Sequence, residues 1–152
     1  MADPIEVFFS YAHKDEALVE QLRRQLALLK RQGVIRDWHD REMTAGTAWK
    51  GEIHAKLASA GVILLCVSSD FIASDYCFDV EMGCALARHD AKAARVIPVL
   101  LRDCDWQEAP FGKLQGLPKD MLPVTSWPNR DEAFADVARG IRKAVREITA
   151  NP

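Results

Sequence analysis

The chain has 152 residues and a net charge of −2, with 49% hydrophobic and 28% charged residues. This length and composition fit one globular domain, 1–152, whose core needs no disulfide or metal to hold it. The nearly neutral charge excludes recruitment of nucleic acid or an anionic membrane by bulk electrostatics, and no apolar stretch is long enough to span a bilayer.

The cysteines and the N-terminus indicate a reduced, cytoplasmic protein. Cys77 and Cys84 lie in one predicted helix, roughly 10 Å apart along its axis, which is too far for a disulfide. The four cysteines and four histidines show none of the spacings that bind zinc, so no metal site is predicted. The first residues carry an early acid and only a short apolar run, unlike a secretory signal. The chain stops just after its last predicted helix, which suggests a domain excised from a longer sensor or effector protein.

Short apolar runs alternate with amphipathic stretches in the first half of the chain. The run IEVFF at 5–9 predicts a strand, and leucines at helical spacing predict one helix over 14–31 that ends at Gly33. Basic residues on this helix are expected to form a solvated face. A short second strand is predicted over 34–38, then a polar loop, then a helix capped by Thr47.

The second half of the chain continues the alternation. The apolar run VILLCV at 62–67 predicts a central parallel strand that is buried on both faces. A helix is predicted to begin at Ser74 or Asp75 and to end near His89. The next strand, 95–101, contains Pro98, which has no N–H to donate and predicts irregular pairing or a bulge.

The end of the chain completes the predicted fold. Residues 121–125 predict a short fifth strand after a turn-rich stretch, and 131–148 predict an amphipathic last helix. Strands that alternate with helices indicate an α/β fold with a five-stranded parallel sheet, doubly wound in the flavodoxin-like order 2-1-3-4-5.

Ligands of doubly wound sheets bind beyond the carboxyl ends of the strands, where the strand order reverses. Here that point lies between the first and third strands, which end at Ser10-Tyr11 and Ser68-Ser69. We expect these hydroxyl-bearing segments to face one crevice, although serines are also ordinary turn residues. No glycine-rich dinucleotide fingerprint and no P-loop occur, and the acidic cluster that a phosphoacceptor receiver domain needs after strand one is missing.

Glu81 is the unusual acid of the predicted third helix. On a helical wheel it falls between two apolar groups, whereas Asp79 faces the polar side. A carboxylate among apolar neighbours near a strand-end crevice is a candidate functional group, because partial desolvation strengthens its electrostatic interactions. The alternative is a helix-edge glutamate that is solvated or pairs with Arg88. Tyr76 precedes Glu81 by five residues, a spacing at which an α-helix turns the ring away from the carboxylate.

Several segments, taken in order, resemble the Toll/interleukin-1 receptor (TIR) domain family. The sequence FFSY at 8–11 is similar to the signature that ends the first TIR strand, and DREMTAG at 40–46 is similar to the BB loop. The sequence SDYCFDVE at 74–81 resembles the opening of helix αC, and RVIPVLLRDCDW at 95–106 resembles a later block of bacterial TIR proteins.

The resemblance implies an activity, a site and partners. Many TIR domains cleave NAD⁺, and the catalytic glutamate of the family corresponds to Glu81. By the same resemblance Ser10, Tyr11, Asp40 and Trp49 line the nucleotide site, with NAD⁺ as a substrate and no cofactor. The family assembles head to tail through the BB loop, whose residues here are Arg41, Glu42, Met43, Thr44, Ala45 and Gly46.

Two functional hypotheses of different classes remain. In the first, the domain is a NAD⁺ glycohydrolase or ADP-ribosyl cyclase that TIR–TIR self-association activates, in bacterial immune (anti-phage) signalling. In the second, it is a non-enzymatic scaffold or adaptor that acts only by binding other TIR domains. The presence of Glu81 favours the first, because an adaptor needs no carboxylate there. In neither does the domain bind nucleic acid or a membrane.

Overall fold

The computed structural model describes residues 3–38 and 49–150. In this part of the chain, strands alternate with helices as the sequence predicts. The first half contains β1 (Ile5–Ser10), α1 (Glu16–Gln25), α2 (Ala27–Arg31), β2 (Ile35–Trp38) and α3 (Trp49–Ser59). The second half contains β3 (Val62–Val67), α4 (Ser69–Ala73), a π-helical turn (Tyr76–Glu81), α5 (Met82–Asp90), β4 (Arg95–Leu100) and α6 (Arg130–Ala150).

The four strands pair in parallel in the order β2-β1-β3-β4. β1 lies at the centre, with Ile5 aligned to Ile35 on one side and Val7 aligned to Val62 on the other. Every residue of β3 is buried, as its apolar run predicts. The predicted parallel α/β class is confirmed, and the strand order reverses between β1 and β3 as expected.

Helices cover both faces of the sheet. Side chains of neighbouring strand residues point to opposite faces. Leu64 therefore packs with side chains of α1 and α6, while Leu65 packs with side chains of α3 and α5. None of the described helices combines the length and the apolar character needed to cross a bilayer.

The predicted fifth strand is wrong. Residues 121–125 contribute instead to two short 3-10 turns, Lys119–Met121 and Val124–Ser126. Two features of the turns explain the difference: Asp120 and Met121 adopt positive φ angles of 59° and 53°, which no strand accommodates.

Pro98 lies within a regular strand, contrary to the predicted irregularity. It aligns with Leu65 of β3, and its nitrogen faces the outer edge of the sheet, so the β3–β4 pairing loses no hydrogen bond. At that edge Leu117 donates its N–H to the Pro98 carbonyl (2.9 Å) and accepts from the Leu100 N–H (2.8 Å). Gly116 permits this approach, because a Cβ there would lie 2.9 Å from the Pro98 carbonyl oxygen. The open edge of β4 is therefore partly covered.

Asp37 in β2 is a buried carboxylate held by two cations. Arg23 donates from Nε to Oδ2 at 2.8 Å, and Lys30 Nζ lies 3.0 Å from Oδ1. Burial alone would raise the pKa of Asp37, but the hydrogen bonds from Arg23 and Lys30 outweigh it and hold the pKa below its usual range. Lys30 is exposed, as predicted, whereas Arg23 is largely shielded from solvent. Through Asp37 the two residues tie α1 and α2 to β2.

Candidate active site

A cleft of about 340 Å³ opens beside the ends of β1 and β3. Its walls come from the last residues of β1 and the turn after it, from Ile53 of α3, and from residues between Asp70 and Glu81. The crevice expected at the reversal of strand order is therefore present, and its volume lies at the small end of the range for ligand sites.

Glu81 lines this cleft with only 6% of its surface exposed. Ser10, fully buried at the end of β1, donates a hydrogen bond of 2.6 Å from Oγ to Glu81 Oε1. A hydroxyl that donates to a carboxylate makes a strong, charge-assisted bond. Arg88, the alternative partner, donates instead to the carbonyls of Leu57 and Ala60. Glu81 is thus neither solvated nor paired with Arg88.

The residues from Tyr76 to Glu81 form a π-helical turn instead of the predicted α-helix. Hydrogen bonds of a π-helix join residues five apart and widen the turn. The five-residue spacing therefore brings Tyr76 and Glu81 to the same cleft. Burial, and after it the charge of Glu81, raises the pKa of Tyr76. The expectation that Tyr76 turns away from Glu81 is wrong, because it assumed α-helical geometry.

Two contacts fasten the start of the π-turn. Of the two predicted caps, Ser74 or Asp75, Asp75 stands at the N-cap position without a side-chain bond. Ser74 instead accepts the N–H of Cys77 on its Oγ at 3.2 Å. The Cys77 thiol donates to the carbonyl of Tyr11 at 3.3 Å. Tyr11 also lines the cleft. The structure thus brings Ser10, Tyr11 and Glu81 together, and their roles toward a substrate stay predictions.

A second polar cluster holds the neighbouring strand ends together. Ser68, at the end of β3, donates to Asp15 and accepts the N–H of Phe71 at 3.2 Å. Asp15 is 1% exposed and also accepts from Arg102 Nε at 2.8 Å, while Arg102 Nη2 bonds Asp70 Oδ2 at 2.5 Å. The two serine segments are therefore not joined in one crevice as expected. Ser10 bonds Glu81 in the wall of the cleft, whereas Ser68 bonds Asp15 in the second cluster.

Sequence reasoning missed Asp15, Asp70 and Arg102. Each follows a different parallel strand, and the carboxyl ends of parallel strands meet at one edge of a sheet. This position is the signal that could have found them. Asp15 and Asp70 stand in no motif, and Arg102 lies in the segment 95–106 without a predicted role. The three side chains meet because the sheet aligns the strand ends.

Some predicted residues cannot be placed. Asp40 and the loop 41–46 lie outside the described residues, as does the side chain of Trp49, the first residue of α3. In the described ranges no three or more His, Cys, Asp or Glu side chains are grouped to hold a metal ion. All four cysteines are free thiols.

The chain is a parallel α/β domain with a cleft where the strand order reverses and a buried carboxylate in the wall of that cleft. A family model described as "TIR domain" matches residues 7–139. The chain belongs to the TIR domain family.

Among curated proteins, "Uncharacterized protein y4lF" of Sinorhizobium fredii is 53% identical to the chain over 143 residues. The match covers 94% of this chain and 44% of that protein. The chain therefore spans less than half the length of this relative.

Solved TIR domains share the fold at low sequence identity. The TIR domain of the Toll-related receptor TRR-2 from Hydra magnipapillata is 20% identical, with a TM-score of 0.66 over 92% of this chain and 97% of that one. The TIR domains of the activated Roq1 resistosome, which recognises the pathogen effector XopQ, are 19% identical (TM-score 0.54; 97% and 98% covered). The RPS4 and RRS1 TIR heterodimer gives 16% identity (TM-score 0.58; 93% and 99% covered).

Proposed function

We propose that this domain is a NAD⁺ glycohydrolase or ADP-ribosyl cyclase that breaks the bond between nicotinamide and ribose. The observation that carries the proposal is Glu81: its carboxylate is 6% exposed, lines a cleft and accepts a 2.6 Å hydrogen bond from a buried serine. Burial of a charged group costs free energy, and a domain that only binds other TIR domains gains nothing from it at this position.

A single carboxylate suffices for this reaction. Hydrolysis of an ordinary glycoside needs a second acid to protonate the leaving oxygen. In NAD⁺ the leaving group is a cationic pyridinium that departs as neutral nicotinamide, so no general acid is required. Glu81 stabilises the positive charge that develops on the ribose in the transition state, in a site that partly excludes water.

Ser10 and Tyr76 support this role in different ways. The hydrogen bond from Ser10 orients the Glu81 carboxylate and leaves its negative charge in place. Tyr76 lines the same cleft and offers an aromatic face to a planar ring of the substrate. Attack by water on the ribose carbon gives ADP-ribose, and attack by the adenine ring gives a cyclic isomer.

We also propose that the activity depends on head-to-tail TIR–TIR contact through residues 39–46, in the bacterial cytoplasm and in anti-phage signalling. The RPS4–RRS1 neighbour is a TIR heterodimer and the Roq1 neighbour is a resistosome, which supports association as a property of this fold. The relative from Sinorhizobium fredii, of which the chain covers 44%, supports a bacterial setting.

A second candidate function is a scaffold that acts only through TIR–TIR binding, favoured by the same heterodimer. The two candidates differ in one measurement, the release of nicotinamide from NAD⁺ by purified protein at high concentration. We expect release by the wild type and a loss of about 100-fold or more in Glu81→Gln, which keeps the shape and removes the charge.

Asp79→Asn is the matched control for Glu81→Gln. Asp79 lies two residues earlier in the same π-turn, is exposed, and loses the same charge on substitution. We expect it to keep the wild-type rate. Nicotinamide release by Glu81→Gln at the wild-type rate contradicts the assignment of Glu81, and a wild type without release at any concentration favours the scaffold.

A further inference from the structure

Cys77 takes part in hydrogen bonds with its N–H, its carbonyl and its thiol. The N–H donates to Ser74 Oγ at 3.2 Å, and the carbonyl accepts the N–H of Met82, five residues further on. A bond over five residues is the one that defines a π-helical turn. The thiol donates to the carbonyl of Tyr11 at 3.3 Å, across 66 positions of the chain. Cys77 is 6% exposed and belongs to the wall of the cleft.

The thiol bond joins the same two segments as the bond between Ser10 and Glu81. Ser10 ends β1 and Tyr11 follows it, while Cys77 and Glu81 both belong to the π-turn. β1 is fixed by its pairing with a strand on each side. A relative movement of the two segments would therefore displace the π-turn, and with it the carboxylate of Glu81.

The shape of the π-turn decides which side chains reach the cleft. π-helices are rare and occur mostly as single turns within α-helices, which indicates that α-helical bonding is usually the more stable alternative. The wide turn brings Tyr76 and Glu81, five residues apart, to the same cleft. A return to α-helical bonding would turn these two side chains to different sides of the helix.

We propose that Cys77 is a positioning residue for the cleavage of NAD⁺: its thiol bond to the Tyr11 carbonyl holds the π-turn in the form that places Glu81 against Ser10. This inference rests on the proposed function and adds a residue to it. Cys77 takes no part in bond breaking and acts only through the position of Glu81.

The test compares Cys77→Ala with Cys77→Ser. Alanine and serine are close in volume, so both leave a similar space, but only serine keeps a donor for the Tyr11 carbonyl. The first readout is kcat and KM from nicotinamide release. The second is hydrogen exchange of the backbone amides in residues 76–82, which measures opening of the turn whether or not the protein cleaves NAD⁺.

Loss of the donor is expected to lower kcat and to leave KM within about twofold, because a displaced carboxylate weakens stabilisation of the transition state more than substrate binding. Cys77→Ala lowers kcat about fivefold, as expected for the loss of one weak hydrogen bond. Its amides in the turn exchange several-fold faster. Cys77→Ser keeps kcat and exchange within about twofold of the wild type, since the hydroxyl replaces the donor.

Cys84→Ala is the control for loss of a thiol from the same region. Cys84 lies in α5, the helix that continues the π-turn, and is partly exposed. We expect Cys84→Ala to match the wild type in kcat, in KM and in the exchange of residues 76–82.

The outcomes separate this inference from the proposed function. Equal kcat values or equal exchange rates in Cys77→Ala and Cys77→Ser overturn the inference, because the donor then has no effect. A Cys77→Ala variant that raises KM and keeps kcat overturns it as well. A wild type that releases no nicotinamide overturns the proposed function, and the exchange rates of the two variants then decide alone whether the thiol holds the turn.

Discussion

The hydrogen bond between Ser10 and Glu81 joins β1 to the π-turn, across 71 positions of the chain. Ser10 is buried at the end of β1. Its hydroxyl satisfies one oxygen of the Glu81 carboxylate and leaves the negative charge of Glu81 in place. Bonds to a charged group contribute about 1.5–3 kcal/mol. Part of that free energy serves to orient the carboxylate.

Ser10→Ala is expected to lower kcat about tenfold, because Glu81 loses its orienting donor. In a Glu81→Gln background the same substitution should add little, since the two side chains act as one unit. Ser59→Ala is the control, because Ser59 also donates to a glutamate, Glu6, but at the other end of the sheet. Independent, additive losses from Ser10→Ala and Glu81→Gln would argue against a positioning role.

At the scale of single residues, the sequence singles out Glu81 and Ser10, which the structure brings together, but not Asp15, Asp70 and Arg102. The helical wheel and the family resemblance both single out Glu81, because its local neighbours are apolar. Asp15 and Arg102 meet across 87 positions, and no local pattern encodes such a contact. The predicted position of Tyr76 is wrong, because one turn of π-helix changes the side of the helix on which the Tyr76 ring lies.

At the scale of elements, Asp37 shows how a short edge strand is held in place. β2 has four residues, and among the strands in the described ranges it pairs only with β1. The ion pairs from Arg23 and Lys30 add a connection to α1 and α2. Because the folded pKa of Asp37 lies below the unfolded value, its ionised form stabilises the fold above the unfolded pKa, and this contribution is lost as the pH falls through the folded pKa.

Asp37→Asn is expected to lower the free energy of unfolding by about 1–3 kcal/mol at pH 7. The difference from the wild type should shrink as the pH falls below about 4, where the wild-type carboxyl also becomes neutral. Urea denaturation at pH 7 and at successively lower pH measures both values. Glu20→Gln serves as the control, because Glu20 is a more exposed partner of Arg23. A penalty that stays constant down to pH 2 would exclude the ionised carboxylate as its source.

The central strand β3 is the element that the sequence predicts best. Its six apolar residues are all buried, because parallel strands covered by helices on both sides have no solvent face. The predicted fifth strand is wrong because contacts far apart in the sequence decide the structure of this segment. Residues 121–125 have strand-like composition, but the outer edge of β4 pairs with Leu117, whose bonds no local pattern reveals.

Leu65→Ala should lower the free energy of unfolding by about 2–5 kcal/mol, because Leu65 has no exposed surface and its truncation leaves a cavity. Leu28→Ala is the matched control: Leu28 is 57% exposed, and its truncation is expected to cost less than about 0.5 kcal/mol. Chemical denaturation of both variants gives the comparison. Equal stability of the two variants would be incompatible with the packing of β3 between the helical layers.

At the scale of the whole molecule, the reversal of strand order gathers the cleft from segments far apart in sequence. Ser10 ends β1, Asp70 lies in α4 after β3, and Glu81 ends the π-turn. The sequence predicts this location from topology alone, since alternating strands and helices leave one crevice at the carboxyl edge. The loop 39–46, predicted to contact another TIR domain, lies outside the described residues. Its role stays a prediction for experiment.

We expect assembly of TIR domains to control the activity. A head-to-tail contact joins two different surfaces, so it does not close on itself and can extend into an open array. If the neighbouring molecule completes the site, activity per molecule rises with protein concentration. A further domain that gathers copies would then switch the enzyme on by raising local concentration. Gly46→Pro, which restrains the loop backbone, is expected to abolish that rise.

Complementation gives the sharpest measurement of this control. Wild-type protein is diluted until its activity per molecule is low, and an excess of inactive Glu81→Gln protein is then added. We expect nicotinamide release per wild-type molecule to increase several-fold, because the inactive copies supply the contact surfaces without chemistry of their own. The double variant Gly46→Pro/Glu81→Gln should not have this effect. Activity per molecule that stays constant over a hundredfold dilution, and does not respond to either inactive protein, means that each domain works alone.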